Sequence, residues 1–316
     1  MKNMLAYKWL ENPDIMEFYQ SFKLERKYNM NRLTNRIRTR IRTDIQNTKE
    51  TTWLTIVIFC ITYCIFTAFI NLVVFKQNYL GFIPDLTMGI MNETLTANWV
   101  NILLFVFILI LIQGKLSICD IGLKKNRFLS AVLAVITIWV ILQLLNIAVA
   151  VVIDGKPVIY SGWNKYGAPY VIGSFIAQIL GNALFEEIAF RGFLLVQLSK
   201  KCGNKKPNII LGLVISQLIF ALIHVPNRIL NGMSILEILP SLLIVFLLGV
   251  FFSIIYLFTD NLFLAVGIHS LWNMPLLIFD GLQSIWVVMA MSIVLVIAWE
   301  AIIAKLSFKS ETSPSL

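Results

Sequence analysis

Two histidines occur in the 316 residues, His224 and His269. Both fall inside apolar stretches long enough to cross a bilayer, and a third such stretch carries Glu186, Glu187 and Arg191. Ionisable side chains at membrane depth are expensive to keep, so they point to function first. A carboxylate and an imidazole beside one cavity can polarise a water and take its proton. A histidine next to an asparagine can donate to the oxyanion that forms when water attacks a carbonyl. Such a set suits peptide-bond hydrolysis within the membrane.

The spacing says which of these groups can act together. In the run 183–192, Ala-Leu-Phe-Glu-Glu-Ile-Ala-Phe-Arg-Gly, neighbouring helical residues point about 100° apart. Glu186 and Glu187 therefore cannot share a direction. Glu187 and Arg191 stand four apart on one face and are expected to form an ion pair. Glu186 ends a polar stripe of Ser174, Gln178 and Asn182, stepping by four. A stripe like this must face protein or water, so Glu186 is expected to look into a wet cavity. Phe220 and His224 share a face, and Pro226 is expected to end or bend that helix just past the histidine. Phe220 reads as packing. His269 and Asn273 also share a face and offer two neighbouring donors.

The elements that must position these residues are helices in a membrane. The chain is 58% hydrophobic and 14% charged, with mean hydropathy +0.80. A soluble domain is about half apolar and about a quarter charged. The fold class expected is all-α: a polytopic bundle of about eight transmembrane helices around a catalytic cavity. Spans of about 20 apolar residues read near 53–75, 98–113, 129–153, 170–197, 208–225, 238–258, 261–279 and 284–304. On these bounds His224 lies near the outer end of its helix and His269 nearer the cytoplasmic side. The first apolar run begins only after residue 50, so it reads as a retained helix rather than a signal peptide.

Residues 1–50 form a basic arm, and the bundle occupies 51–310. In the arm Leu33, Ile37, Ile41 and Ile45 recur every fourth residue among Arg32, Arg36, Arg38, Arg40 and Arg42. That pattern suits an amphipathic helix on anionic lipid, and nucleic acid is not expected as a partner. Positive charge recurs at Lys115, Lys124, Lys125 and Arg127, at Lys200, Lys201, Lys205 and Lys206, and at Lys305 and Lys309. The loop 76–97 holds only Lys76. With the basic loops inside, both termini are cytoplasmic. The stretch 154–169 is polar and aromatic, an outward loop or re-entrant cap. Glu300 reads as interfacial. Cys60, Cys64, Cys119 and Cys202 form no Cys-x-x-Cys pair and read as reduced structural thiols, with Cys60 and Cys64 packing from one helix face.

Taken together, Glu186-Glu187-x-x-x-Arg191, Phe220-x-x-x-His224 and His269-x-x-x-Asn273 resemble the signature of the CPBP family. These are the membrane-embedded CAAX prenyl endopeptidases and their bacterial Abi or lysostaphin-resistance-like relatives. The resemblance covers about 168–280 and places a protease core there. It implies that Glu186 is the general base, that His224 holds the attacking water with it, and that His269 and Asn273 form the oxyanion pocket. Glu187 and Arg191 would support the site. It also implies a bundle of about eight helices with a cavity open to one leaflet or side.

Family members are often named metalloproteases, and Glu186, His224 and His269 are a known kind of zinc set. The usual His-Glu-x-x-His helix is absent, and Asn273 would be idle. No cofactor is therefore the preferred reading, with zinc the alternative. The expected function is an intramembrane endopeptidase acting on a membrane-associated protein or peptide. The alternatives are a non-catalytic membrane immunity protein that binds a bacteriocin or its receptor, and a transporter. Against the transporter, no inverted repeat is evident. The wealth of Ile, Asn and Lys suggests a bacterial plasma membrane. There a leader peptide, a pheromone precursor or an anchored regulator fits better than a prenylated substrate.

Overall fold

The computed structural model describes residues 44–203, 206–281, 285–294 and 296–298, with isolated arm positions 35, 39 and 41. Most of the arm pattern, including Leu33, Ile37 and its arginines, lies outside the described residues, as do Lys205, Lys305, Lys309 and Glu300. The described residues are helical, without a strand. Eight apolar helices follow in order: α1 (Trp53–Phe75), α2 (Glu93–Gln113), α3 (Lys125–Asp154), α4 (Ala168–Lys201), α5 (Lys206–Leu222), α6 (Ile235–Thr259), α7 (Leu262–Asn273) and α8 (Ile285–Ala298). Six are long and apolar enough to cross a membrane, the fifth counted as Asn208–Leu230; α7 and α8 are shorter. The protein is an integral membrane protein with a polytopic helical bundle.

Local chemistry starts these helices. Thr52 caps α1 by accepting from the Thr55 amide, and Asn92 caps α2 through the Leu95 amide. Ser234 and Glu237 form a capping box at α6. Asn261 caps α7 through the Leu264 amide at 3.2 Å. Between α6 and α7 the chain reverses at Asp260, in the left-handed region (φ 51°), and Lys124 and Arg127 grip its carboxylate at 2.7 and 3.3 Å.

Helix α4 is the central post. Every residue from Phe185 to Ser199 is buried, the mark of a helix surrounded by others. Phe59 and Tyr63 of α1, Phe105 of α2, and Phe185 and Phe193 of α4 interlock, with Phe59 to Phe193 at 5.2 Å and Tyr63 to Phe185 at 5.1 Å. The outer faces behave oppositely. Leu54, Val57, Ile61 and Ile65 of α1 are exposed, an apolar side for lipid chains. Cys60 packs against the core but Cys64 is exposed. Four residues turn a helix about 400°, and the 40° excess carries Cys64 out of the packed face. All four cysteines are unbridged.

Two prolines redraw the expected spans. Helix α7 stops at Asn273, with Met274 extended (φ −145°, ψ 92°), because the residue before Pro275 is pushed out of the helical region. Twelve residues rise only about 18 Å. The chain then runs as coil, where continued helix to 279 was expected. Its backbone is satisfied from the side: Trp139 donates to Leu276 O at 3.0 Å and Asn146 to Phe279 O at 3.2 Å, while Gln143 accepts from Ile278 N at 2.9 Å. Side chains of α3 thus pair polar groups of this irregular backbone, as a non-helical segment packed inside a membrane bundle requires. The 154–169 stretch docks on the same coil: Tyr160 N donates to Ile278 O at 2.9 Å and Trp163 Nε1 to Leu277 O at 2.8 Å.

The other proline acts on α5. The break expected just past His224 falls at His224 itself: α5 ends at Leu222, Ile223 and His224 form a turn, and a short helix resumes at Val225–Leu230. Pro226 lacks the N–H that would close the turn onto Leu222.

Candidate active site

Glu187 and Arg191 make the expected contact. Nη1 lies 3.0 Å from Glu187 Oε1, both side chains fully buried. Nη1 makes no well-angled hydrogen bond, so the contact is an ion pair by proximity. Arg191 Nη2 donates to Gly249 O at 3.2 Å, and the rings of Phe220 and Phe252 stand 4.4 and 5.6 Å from the guanidinium carbon. Phe220 is thus more than filler: it covers the arginine with its face.

His269 joins the same cluster, a contact not expected from spacing. Its Nδ1 lies 2.7 Å from Glu187 Oε1, its Nε2 lies 3.7 Å from Glu186 Oε2, and its ring stacks on Phe252 at 4.5 Å. One oxygen of Glu187 therefore serves both Arg191 and His269. A carboxylate accepts, so Nδ1 carries hydrogen toward Glu187. Nε2 is left facing Glu186, 3.7 Å from its Oε2.

The turn at His224 sets that ring. Its backbone N donates to Ala221 O at 3.1 Å rather than to Phe220 O. The Phe220 carbonyl is thereby freed for the imidazole, with Nδ1 at 2.8 Å. A carbonyl only accepts, so the hydrogen sits on Nδ1 and Nε2 of the neutral ring keeps a lone pair.

Two chambers meet here. The first, about 280 Å³, is lined by Glu186, His224, His269 and Asn273 together with Asn182 and Arg228, among others. The second, about 220 Å³, shares Asn182, Glu186 and His224 and adds Asn71, Asn98, Asn101 and Asn227. Glu186 and His224 thus stand on the partition. The difference in depth expected between the two histidines does not keep them apart, since both line the first chamber. All four expected site residues border one space, while Glu187 and Arg191 sit behind it.

A ladder of amides runs through the partition. Asn101 donates to Asn98 at 3.3 Å, Asn98 to Asn182 at 3.5 Å and Asn182 to Gln178 at 3.4 Å; Asn273 donates to the same Gln178 oxygen at 2.9 Å. The stripe on α4 follows from spacing, and Gln178–Asn182 and Glu187–Leu195 are wound as wider π-helical turns, a feature frequent at functional sites. Asn71, Asn98, Asn101 and Arg228 were not singled out from the sequence. Polar side chains inside apolar runs were the available signal. Among the described residues, no three His, Cys, Asp or Glu side chains are grouped closely enough to hold a metal ion.

Residues 168–275 match the family model described as Type II CAAX prenyl endopeptidase Rce1-like. This third of the chain, which holds every site residue named above except Asn71, Asn98 and Asn101, is an Rce1-like domain. No curated protein and no solved structure matches the chain.

Proposed function

We propose that the chain is an intramembrane endopeptidase that hydrolyses a peptide bond of a membrane-associated protein or peptide. The observation that carries this reading is the convergence of Glu186, His224, His269 and Asn273 on one chamber. Water held between the Glu186 carboxylate and His224 Nε2 loses its proton to Glu186 as its oxygen attacks the carbonyl. The carbonyl oxygen, now negative, turns toward His269 Nε2 and Asn273. Asn273 has one amide hydrogen on Gln178 and a second free to donate. In this step His269 donates at both nitrogens, Nδ1 to Glu187 and Nε2 to the oxyanion. Glu186 then returns its proton to the departing amine.

The reading is metal-free, with a zinc ion on Glu186, His224 and His269 as the alternative. Tight chelation of purified protein is expected to leave activity intact; loss that zinc restores would overturn this preference. The arm is proposed to meet anionic lipid, and the chain to lie in a bacterial plasma membrane with both termini cytoplasmic. Asn71, Asn98 and Ser241, which line these chambers, come from the ends of α1, α2 and α6 opposite the basic loops. With that basic end inside, the substrate reaches them from the outer side.

The test compares peptide termini in membranes from cells making wild type or Glu186→Gln at matched levels. Glutamine keeps the shape and removes the base, a loss of about 10²–10⁴-fold in rate. New termini with wild type alone support the protease and name its substrate. Identical termini, with the variant still rescuing the phenotype of loss, would favour a binding role.

A further inference from the structure

Arg228 stands one turn beyond His224, its backbone N donating to His224 O at 3.1 Å. Its side chain lines the 280 Å³ chamber with Glu186, His269 and Asn273. The other arginines whose side chains are described have carboxylates: Arg191 has Glu187 and Arg127 has Asp260. Among the described residues, Arg228 has no carboxylate within 4.0 Å. Its Nε donates to Ser241 Oγ and its Nη1 to Asn227 Oδ1, each at 3.1 Å. Asn227 is itself held by donation to Asn71 Oδ1 at 3.3 Å. Two neutral acceptors thus fix the plane of the guanidinium and leave its charge and remaining donors uncommitted.

A positive charge lining a cavity in an apolar bundle is costly unless a counter-charge arrives. The fixed planar fork matches a carboxylate better than any neutral group. We propose that Arg228 is a specificity-determining residue that binds a carboxylate carried by the substrate, either the free end of a peptide or an acidic side chain near the scissile bond. The inference rests on the protease reading and adds to it the chemistry of what is cleaved. Glu186, the other fixed charge on this chamber, is negative and repels the same carboxylate. The substrate's anionic group is thereby steered to the Arg228 end while its carbonyl lies at Glu186.

The test uses full-length protein in phosphatidylcholine nanodiscs and a library of lipid-anchored fluorescent peptides. Each sequence is made as free acid and as amide, and with Glu or Gln at positions flanking the centre. Binding to Glu186→Gln by fluorescence anisotropy reads the subsite without turnover; cleavage by wild type reads the protease. The carboxylate member of a pair is expected to bind about tenfold tighter. Which member of each pair shows the preference tells chain end from side chain. Adding Arg228→Gln should erase the preference and leave affinity for the amide and Gln peptides unchanged, while Arg228→Lys keeps part of it. In the otherwise wild-type protein Arg228→Gln should raise KM for carboxylate peptides with kcat little altered. Equal binding of both members, or a preference that survives Arg228→Gln, overturns the subsite. So does an effect of Arg228→Gln that appears only when phosphatidylglycerol is added, which would assign Arg228 to a headgroup. A preference in binding without any cleavage would sink the protease reading and leave the subsite standing.

Discussion

Midway along α4, Glu187 and Arg191 are wholly buried and His269 nearly so; at the basic end, Asp260, whose side chain keeps 10% of its surface, is met by Lys124 and Arg127, which keep 30% and 32%. Both groups join helices distant in sequence. The inner one does so where no water relieves an unmatched charge, and the outer one where water and salt can. Breaking a buried pair leaves a charge without compensation, whereas an exposed pair contributes little. The inner cluster is therefore expected to carry both stability and site geometry, and the outer one mainly to hold a turn.

Removing one inner partner should have the largest effect. Arg191→Met is expected to cost about 3–5 kcal/mol, read as a lowered midpoint of thermal unfolding in detergent. The double variant Glu187→Gln, Arg191→Met should recover much of it, since no charge then stands alone. A single variant as stable as wild type would erase the contrast. The outer counterpart, Asp260→Asn, should cost at most about 1 kcal/mol, and high salt should shrink the difference further. A loss equal to that of Arg191→Met would show that the exposure of Lys124 and Arg127 misleads.

The smallest effect concerns the segment before α1. The hydrogen bond and charge of Lys201 hold Glu50 below the ordinary carboxylate range. Burial pushes Asp120 up, but hydrogen bonds from Ser117 and the Lys49 amide outweigh it and leave it lowered. A carboxylate depressed in the folded state stabilises above its unfolded value, about pH 4, and loses that contribution as pH falls toward the folded one. Wild type should therefore exceed Glu50→Gln and Asp120→Asn slightly at pH 6, and the gap should close near pH 3. A gap that persists at pH 3 would mean that packing, not charge, distinguishes the variants.

What was legible in the sequence divides along the same physical line. Spacing on one helix fixes which residues share a face, so Glu187 with Arg191, and the stripe of Gln178, Asn182 and Glu186, could be read directly. Contacts between helices could not. The approach of His269 to Glu187 depends on where α7 begins and ends, and Pro275 was a visible stop sign that the apolar run around it concealed. The place of the α5 break was off by about two residues because Pro226 acts backward, on the carbonyls before it. Asn98 and Asn101 lie on a helix whose composition signals only that it crosses the membrane, and their meeting with Asn182 is a matter of packing. The site's inventory was largely in the motifs; its wiring was in the tertiary structure.

Glu187 Oε1 is a single atom in contact with two partners. The losses from removing Arg191 and from removing His269 are consequently not independent, because each depends on whether the other still occupies that oxygen. Groups that share a partner do not contribute additively. Any tally that assigns one energy to the ion pair and another to the imidazole bond would count the oxygen twice. The cluster behaves as one three-body unit, and a displacement of the guanidinium is felt at the imidazole on the chamber wall through a path one atom long.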